Sequence, residues 1–400
     1  MRVVVTTETR FSRAPDGSVW TPDGPAYPFF SRYLAAFDTV RVVARLHRVD
    51  QPPAGAYRVD GPGVELWPVP HYVGPRQYLA RWRSIRQAVR AAAQPGDAVI
   101  LRVPSPTGLM LAGWRERQRL PYAIEVVGDP YDVFAPGVVE HPLRPFLRHW
   151  GTTRLRHLCR SAGAVAYVTE RHLQARYPSR PGAVSTAYSS VDLPEEAFVP
   201  EPRWIDQPPR PGTLISIGSL DQLYKGIDTL IEALARLAAD GEAPRLLHVG
   251  DGRFRPRLER LAAEAGLADR VTFTGTVPAG PAVRRRLDAA DLMVVPSRTE
   301  GLPRVLIEGM ARGLPAIGTT VGGIPELLVR EDLVPPDDPF ALAAAIRRFL
   351  ADPARLGAAS ARNLDRARDY SVDSLRPRRD RFYRTVRDTA ARRTPVGGRT

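Results

Sequence analysis

The chain has little or nothing of several features that commonly point to a function. Its single cysteine, Cys159, cannot form a disulfide within the chain, which is typical of proteins in a reducing compartment. No apolar run approaches the ~18 residues of a membrane span. The N-terminus starts on the strand-like RVVVTT rather than on the apolar stretch of a signal peptide. We therefore expect a cytoplasmic protein.

Common motifs for nucleotide and metal chemistry are also missing. The sequence has no Gly-x-x-x-x-Gly-Lys-Ser/Thr loop, no Asp-x-Asp pair and no cluster of cysteine and histidine. We therefore expect neither a P-loop enzyme nor metal-assisted catalysis. The segment VGDGRFR (249–255) has two glycines of a dinucleotide-binding fingerprint but lacks its final glycine or alanine. An NAD-dependent enzyme is therefore a weak alternative, and no cofactor is expected.

Positive charge is abundant, but almost all of it is arginine. Lysine and arginine number 57 against 43 acidic residues, a formal net charge of +14, and Lys225 is the one lysine. A basic surface can attract anionic lipid, nucleic acid or phosphorylated substrates, or can simply reflect arginine bias. Because no nucleic-acid-binding module is recognisable, we do not expect nucleic acid as a partner. The one retained lysine marks Lys225 as a candidate functional residue.

Short β-branched runs alternate with helical patterns along the chain, which favours the α/β class, with βαβ units around parallel sheets. A proline-rich linker, 199–212, separates an N-terminal domain, 1–198, from a C-terminal domain, 213–372. A disordered tail is predicted over 393–400. Two doubly wound domains leave a cleft between the carboxyl ends of their sheets, where ligands of such folds bind. Strands are predicted at 2–7, 40–46, 64–69, 98–103, 122–127, 164–169, 213–218, 245–250, 271–275, 291–295 and 315–319.

The strongest local signal is PSRTEGLPRVLIEGMARGLP, 296–315. A loop that carries Glu300 and Gly301 leads into a helix predicted over 303–312, with Pro303 suited to its first turn. Backbone amides at the start of a helix are unpaired and carry partial positive charge. The start of this helix is therefore an anion site that suits a diphosphate.

Two carboxylates flank that helix start. Glu300 precedes the helix, and Glu308 lies roughly 7–8 Å farther along its axis at about 1.5 Å per residue. This separation suits a nucleotide-sugar, with one carboxylate on the sugar, the other on the ribose and the phosphates between them. The alternative is a capping role for Glu300 and a solvated Glu308. The apolar neighbours Ile307 and Met310 argue against a solvated Glu308.

EGLPRVLIEGMARGLPAIGTTVGGIPELL closely resembles the E-x7-E region of the retaining GT-B glycosyltransferases of glycosyltransferase family 4, the glycosyl transferases group 1. The similarity extends through ISIGSLDQLYKGIDTLIEAL, LLHVGDG, RVTFTGTV and AADLMVVPS, in the family's order, over about residues 213–330. The N-terminal half is only loosely similar, in VVARL, IEVVGDP and YVTERHLQARYP. The resemblance implies a GT-B fold, in which two Rossmann-like doubly wound domains face each other across a cleft. A terminal helix, 373–392, would cross back to the N-terminal domain.

The resemblance assigns a nucleotide-sugar donor to the C-terminal domain. It implies that Lys225 contacts the donor phosphates, Glu300 the sugar and Glu308 the ribose, and it makes Lys225 and Glu300 the candidate catalytic residues. The family usually has arginine where this chain has Ser219. Arg253 and Arg304 are the candidates to supply that charge, and the alternative is that both are ordinary surface arginines. The candidate donor-binding residues are Gly218, Ser219, Lys225, Val277, Glu300, Gly301, Leu302, Pro303, Arg304 and Glu308.

The acceptor is expected on the N-terminal domain. Family members contact the acceptor and donor sugar with a loop like the one predicted here over 8–30, although an ordinary surface loop is the alternative. The segment GDPYDVF follows strand 122–127 and faces the predicted cleft. None of the seven histidines can be assigned a place beside the reacting bond. The candidate acceptor-side residues are Asp16, Gly17, Thr21 and Asp129.

The resemblance implies sugar transfer, with retention and without metal, from a UDP- or GDP-sugar to a hydroxyl of a glycan, lipid-linked or small-molecule acceptor. The segment RQYLARWRSIRQAVR (76–90) is predicted to form one basic amphipathic helix, which either packs on the sheet or lies on an anionic membrane. Two alternatives stay open. One is another nucleotide-sugar enzyme of this fold, an epimerase or a sugar-phosphate synthase, and the other is a non-catalytic sugar-nucleotide binder.

Overall fold

The computed structural model describes residues 1–22, 24–135, 138 and 141–393. These residues form two β-sheets, one of nine strands and one of six, with helices packed against them. The predicted tail, 393–400, lies outside the described residues apart from the backbone of residue 393. The domain limits given above stay predictions.

The N-terminal sheet is a parallel sheet with an antiparallel extension at one edge. Its parallel order is β5-β3-β1-β6-β7-β8-β9, and β2 and β4 extend the far end of β1. Val3 and Val5 pack into one core cluster and Val4 into another, because both faces of the sheet are covered. The strands are β1 (Arg2–Arg13), β2 (Val19–Thr21), β3 (Thr39–Arg48), β4 (Tyr57–Arg58), β5 (Val64–Pro70), β6 (Ala98–Val103), β7 (Ala123–Val126), β8 (Ala164–Tyr167) and β9 (Val184–Ala187).

The C-terminal sheet is parallel throughout. Its order is β12-β11-β10-β13-β14-β15. Leu214 and Ile215, neighbours on one strand, pack into different clusters, so both faces of this sheet are buried as well. The strands are β10 (Thr213–Ile217), β11 (Arg245–Val249), β12 (Val271–Phe273), β13 (Leu292–Val295), β14 (Ala316–Thr319) and β15 (Leu333–Val334).

Fourteen α-helices connect or cover these strands in the described residues. Those of the N-terminal part are α1 (Tyr27–Ser31), α2 (Gly74–Ala80), α3 (Trp82–Ala91), α4 (Pro106–Arg117), α5 (Pro130–Val133), α6 (Arg144–Ser161) and α7 (His172–Arg176). Those of the C-terminal part are α8 (Ile227–Ala239), α9 (Arg255–Glu264), α10 (Pro281–Asp288), α11 (Arg304–Ala311), α12 (Pro339–Ala351), α13 (Pro353–Arg368) and α14 (Val372–Arg393). No helix within the described ranges combines the length and the apolar character needed to cross a bilayer.

The last helix, α14, packs on the N-terminal sheet. It contacts β6, β8 and β9. The ring of Phe382 lies 5.9 Å from that of Tyr188, and the ring of Tyr383 lies 4.5 Å from that of Tyr33. These fully buried aromatic contacts tie the end of the chain to its first half.

The predicted loop over 8–30 is wrong in its first part. Strand β1 continues to Arg13, and its residues 10–13 pair in parallel with residues 45–48 of β3. The chain then turns back as β2, which pairs antiparallel with the end of β1. Phe11 is fully buried, which supplies the apolar anchor for this extension. The apparent loop is therefore largely a hairpin.

The single amphipathic helix predicted over 76–90 is also wrong, because the segment forms two helices, α2 and α3. They meet at Arg81, whose φ of −103° and ψ of 8° lie outside the helical range. Ile85 and Val89 are buried on the sheet side. Leu79 is 69% exposed and Trp82 39% exposed. The predicted apolar face therefore packs on the fold only in its second half.

The proline-rich segment 199–212 has no regular secondary structure, but it is fastened to the C-terminal part. The guanidinium of Arg203 donates to the backbone carbonyls of Leu287, Ala290 and Arg312, which lie at the ends of α10 and α11. Burial lowers the pKa of Arg203. A side chain that satisfies three helix-end carbonyls holds this segment in place.

Candidate functional site

The loops at the carboxyl ends of the two sheets meet. Gly301, in the loop after β13, lies against the turn that follows β7. A Cβ at position 301 would lie 2.9 Å from the carbonyl oxygen of Val127 and 3.8 Å from Cα of Gly128. Gly323, after β14, donates its amide to the carbonyl of Gly301 at 2.7 Å. The predicted cleft therefore lies where the loop of Glu300 faces the N-terminal sheet.

The backbone on either side of Lys225 packs against the loop that carries Glu300. Gly226, which caps the start of α8, has a φ of 68°, and a Cβ there would overlap the carbonyl oxygen of Pro296. Only glycine combines this left-handed conformation with so close an approach. Arg298 donates its amide to the carbonyl of Tyr224 at 2.7 Å and forms an ion pair with Asp228 at 2.9 Å. The two segments therefore place Lys225 and Glu300 side by side.

Lys225 and Glu300 form the central ion pair of the site. The Nζ of Lys225 donates to Oε1 of Glu300 at 2.5 Å, and the hydroxyl of Ser297 donates to the same oxygen at 2.8 Å. Burial lowers the pKa of Lys225, but the negative charge of Glu300 outweighs burial and raises it overall. Lys225 is therefore a fixed, charged donor in a largely enclosed position, with a side chain 16% exposed.

The stem of Lys225 lies on Gly218. A Cβ at position 218 would lie 3.0 to 3.3 Å from three carbons of the lysine side chain. The carbonyl of Gly218 is 3.1 Å from Nε2 of His248, and Nδ1 of His248 is 2.8 Å from the hydroxyl of Ser216. Burial lowers the pKa of His248 to about 4, so the neutral imidazole can donate to Gly218 and accept from Ser216. This buried contact fixes the surface on which the lysine lies.

The start of α11 is open. Pro303 is its N-cap, rather than a member of its first turn as predicted, and no side chain caps the helix. Among the described residues the amides of Arg304 and Val305 have no hydrogen-bond acceptor. Unpaired amides and the positive end of the helix dipole make this point attractive to an anion. Leu302 and Pro303 are buried and hold the helix start in place.

Glu308 and Arg304 are charged residues without a partner. Neither has a hydrogen bond or an ion pair with any residue that the structure describes. Burial raises the pKa of Glu308, against the positive charges of Arg304 and Arg284. The positive charge of Arg304 also opposes the raised pKa of Lys225, so Arg304 lies close enough to affect both Glu308 and Lys225. The site thus offers a free carboxylate and a free guanidinium around unpaired amides.

Ser219 is exposed, and its hydroxyl accepts from the amide of Asp221 at 3.2 Å. Arg253 donates to the carbonyl of the same Asp221 at 2.7 Å, so its guanidinium is already used to hold the loop. Val277, in the loop after β12, is half-buried against the core. Of the two arginines considered as replacements for the missing charge, Arg304 is the one left unpaired.

Three of the four acceptor-side candidates serve the hairpin of β1 and β2. Oδ1 of Asp16 accepts from the amide and the hydroxyl of Ser18, and Gly17 has a φ of 87°. Thr21 is fully buried, and its hydroxyl oxygen accepts from the amide of Gly24. The hydrogen bonds that the described structure gives to Asp16 and Thr21 are thus made within the hairpin and the residues that follow it.

Asp129 lies near the cleft, but its carboxylate is occupied. It caps α5 through the amide of Tyr131 and also accepts from Tyr177 and Arg176. His172 lies close by, with Nε2 3.7 Å from Asp129 and 3.6 Å from Asp132. These carboxylates raise the pKa of His172 to about 9. Their ligand atoms are close enough for a metal ion, but Arg176 already supplies positive charge between the two carboxylates.

One important contact between the two parts was missed by sequence reasoning. The carboxylate of Glu326 accepts from the amides of Glu170, Arg171 and His172, at 2.5, 3.0 and 2.6 Å. A carboxylate at the start of α7 satisfies unpaired amides and complements the helix dipole. The sequence feature that could have indicated this contact is the glycine pair Gly322 and Gly323. These glycines allow the turn before Glu326 to pack against the donor loop, because a Cβ at Gly322 would overlap the carbonyl oxygen of Glu300. The GGIPE turn thus links the donor loop to the N-terminal sheet.

Comparisons with known proteins agree with this architecture. The family model of glycosyl transferases group 1 matches residues 211–352. The chain is 25% identical to protein CapJ of Staphylococcus aureus over 82% of this chain and 81% of that one. It is 28% identical to 2-deoxystreptamine glucosyltransferase of Streptomyces kanamyceticus, over 65% of this chain and 70% of that one.

Solved structures match over nearly the whole chain. The sucrose-phosphate synthase of Thermosynechococcus elongatus aligns with a TM-score of 0.71 at 21% identity, over 96% of this chain and 99% of that one. Anabaena HepE in complex with UDP-glucose aligns with a TM-score of 0.63 at 16% identity, over 98% of this chain and 100% of that one. At these identities the likeness shows the fold alone, and it confirms the predicted arrangement of two facing domains.

Proposed function

We propose that this chain, which is a GT-B glycosyltransferase with a glycosyl transferases group 1 domain at residues 211–352, transfers a sugar from a UDP- or GDP-sugar to a hydroxyl acceptor with retention. The observation that carries the proposal is the open start of α11, flanked by Lys225 on one side and by the unpaired Glu308 on the other. The match to a HepE structure with bound UDP-glucose supports a nucleotide-sugar as donor.

The leaving diphosphate would lie at the helix start. The free amides of Arg304 and Val305 would donate to its oxygens, and Lys225 would place a compact positive charge beside it. Arg304 would supply the second cation, in place of the arginine that the family usually has at position 219. Charge that builds up on the diphosphate as the glycosidic bond breaks is then stabilised without a metal ion.

The two carboxylates would hold the two ends of the donor. Glu308 has no partner in the described structure, so it is free to accept hydrogen bonds from the ribose hydroxyls. Glu300 would bind hydroxyls of the sugar and keep Lys225 oriented toward the phosphates. A carboxylate already engaged by Lys225 and Ser297 is a poor nucleophile, so we favour attack by the acceptor on the face that the diphosphate leaves.

The acceptor would enter from the N-terminal sheet, because the turn at Val127 and Gly128 lies directly against Gly301. The acceptor-side roles of Asp16, Gly17 and Thr21 are part of the same proposal. The exposed Leu79 and Trp82, beside several arginines, are compatible with peripheral association with an anionic membrane. A cytoplasmic location is part of the same proposal.

Product analysis tests this function. The protein is incubated with UDP-glucose, GDP-mannose and a panel of glycan, lipid-linked and small-molecule acceptors, and release of UDP or GDP is followed. Release that depends on an acceptor, with an anomeric NMR coupling in the product like that of the donor, is expected. An inverted product would refute retention. Turnover of the donor into a sugar isomer without acceptor indicates an epimerase, transfer only to a sugar phosphate indicates a synthase, and binding without turnover indicates a non-catalytic binder.

The assignment of the second cation has its own comparison. Arg304→Gln is expected to raise the KM for the donor, because it removes an unpaired charge at the helix start. Arg253→Gln is the matched control, because the guanidinium of Arg253 already donates a hydrogen bond to the carbonyl of Asp221. Equal effects of the two substitutions would remove Arg304 from the proposed site.

A further inference from the structure

The proposed donor contacts leave one nearby charged residue, Arg284, unused. It lies on α10, the helix that follows the loop of Val277, and it is half-buried. Its side chain has no hydrogen bond and no ion pair with any residue that the structure describes. A guanidinium carries five N–H donors and no acceptor, so this position favours a ligand that supplies acceptor atoms.

Helices α10 and α11 pack side by side. Each follows a strand of the same parallel sheet, so both begin at its carboxyl end and run in the same direction. Leu287 of α10 packs on α11 at Gly309, where a Cβ would lie 3.7 Å from Cδ2 of the leucine. Asp288 forms an ion pair with Arg312 at 2.7 Å, which joins the C-terminal ends of the two helices. The crevice between α10 and α11 is therefore closed at this end.

One turn toward the start of both helices, the same packing brings Arg284 opposite Glu308. These two residues precede Asp288 and Arg312 by four positions each, so they lie along the same crevice. The positive charge of Arg284 opposes the raised pKa of Glu308, which agrees with side chains that are near each other. They nevertheless form no ion pair in the part of the chain that the structure describes. An unpaired cation and an unpaired carboxylate that face each other suit a polar ligand between them.

The nucleoside of the donor fits this position. With the diphosphate at the start of α11, the ribose lies at Glu308, about one turn along the helix. The other side of α11 is covered by α13, so the base extends into the crevice, toward α10 and the loop of Val277. Because Glu308 takes the ribose hydroxyls, Arg284 faces the base.

We infer that Arg284 is the residue that reads the base of the donor. Its planar guanidinium can donate two parallel hydrogen bonds to two neighbouring acceptors on one edge of a base. Guanine offers such a pair in O6 and N7, whereas the corresponding edge of uracil offers O4 alone. Arg284 therefore favours guanine over uracil. The inference rests on the proposed function and deepens it, because it names a specificity-determining residue of the donor site.

Calorimetric titration of the full chain with four nucleoside diphosphates tests the inference. GDP and inosine diphosphate share O6 and N7, so they are expected to bind with similar Kd. UDP lacks this acceptor pair and 7-deazaguanosine diphosphate lacks N7, so both should bind about ten-fold more weakly or worse, the usual discrimination of a bidentate contact to a base. Binding of UDP or of 7-deazaguanosine diphosphate as tight as that of GDP overturns the inference.

Two substitutions of Arg284 locate the contact. Arg284→Gln should weaken GDP about ten-fold or more and leave UDP and 7-deazaguanosine diphosphate within about two-fold of the wild type. Arg284→Lys keeps the charge but not the planar pair of donors, so it should lose most of the preference for GDP as well. Arg286→Gln is the matched control, because Arg286 is an exposed arginine of the same helix, about 200° around its axis from Arg284. It should change neither affinity.

The ratio of the Kd values for UDP and GDP is the decisive readout. A purely structural role of Arg284, or one that only offsets the charge of Glu308, would change both Kd values by the same factor, and that result overturns the inference. A full preference for GDP in Arg284→Lys overturns the bidentate contact. If UDP binds the wild type and Arg284→Gln alike but binds Glu308→Ala weakly, the donor proposal stands and the inference fails. If neither UDP nor GDP binds the wild type, both fail.

Discussion

Glu308 is expected to have opposite effects on stability and on donor binding. Its carboxylate lies on α11, half-buried and without a partner in the described residues, and burial raises its pKa. An ionised carboxylate in such a place destabilises the folded protein. A bound ribose would supply the missing hydrogen-bond donors. Glu308→Gln should therefore stabilise the free protein and weaken the complex.

The magnitudes follow from the contacts. Removing an unpaired, partly buried charge should raise the free energy of unfolding by on the order of 1 kcal/mol at pH 7. This difference in the free energy of unfolding should shrink as the pH falls toward the raised pKa of Glu308, because the carboxylate of the wild type then becomes neutral as well. Loss of charge-assisted hydrogen bonds to the ribose should cost about 1.5–3 kcal/mol, or roughly ten- to a hundred-fold in Kd.

Urea unfolding and nucleotide titration on the same samples measure both effects. Glu232→Gln is the matched control, because Glu232 is an exposed glutamate on α8 that has no hydrogen bond or ion pair with any described residue. It should change neither quantity. If Glu308→Gln destabilises the free protein, or binds the nucleotide as tightly as the wild type, then Glu308 is not a carboxylate that is unpaired in the free protein and hydrogen-bonded to the bound ribose.

Three further predictions concern the framework of the site. Gly226→Ala should destabilise the protein by well over the about 1–2 kcal/mol of a left-handed residue, because its Cβ overlaps Pro296; Gly241→Ala, with a φ of 81° and open space, is the control in thermal unfolding. The pKa of His172 is raised from 6.5 to about 9 by Asp129 and Asp132. Its stabilising contribution, at most about 3 kcal/mol, is therefore full below pH 6.5 and lost as the pH rises to about 9, and His172→Gln should flatten the unfolding profile over that window. Arg298→Leu should raise the donor KM and lower the melting temperature, because Arg298 joins the segments of Lys225 and Glu300; both can be measured on one preparation.

Each of these has an outcome that would contradict it. Equal losses of stability for the two glycine variants would mean that the contact of Gly226 with Pro296 is not tight. An unchanged pH profile in His172→Gln would mean that the histidine is not held charged by its two carboxylates. Normal donor binding in Arg298→Leu would show that Lys225 keeps its position without that link.

The C-terminal half could be predicted closely from the sequence because its local patterns and its chemistry agree. The helix predicted over 303–312 is observed as α11, one residue shorter at each end. Lysine before glycine at 225 and 226, and the two glutamates around one helix start, were visible as sequence patterns. Glu300 and Lys225 are in contact in the structure. The sequence alone did not predict this ion pair, because it forms only when two distant segments of the chain fold together.

The rest depended on long-range contacts that a single sequence does not display. Strand β1 continues past residue 7 because Phe11 is buried and residues 10–13 pair with β3. Helices α2 and α3 share one amphipathic pattern, and that pattern gives no indication of the break at Arg81. The role of Glu326 follows from its contact with amides more than 150 residues earlier in the chain. The pairing of Asp129 with Arg176 likewise became visible only in three dimensions.

The central claim is that the start of α11 binds the diphosphate of a nucleotide-sugar. The most direct test is a thermal titration with UDP, GDP, ADP and NAD on the wild type, Lys225→Ala and Glu308→Ala. One diphosphate at about 100 times its Kd should stabilise the wild type by about 2.7 kcal/mol and should stabilise both variants less. If neither UDP nor GDP stabilises the wild type, or if NAD alone does, the claim is contradicted.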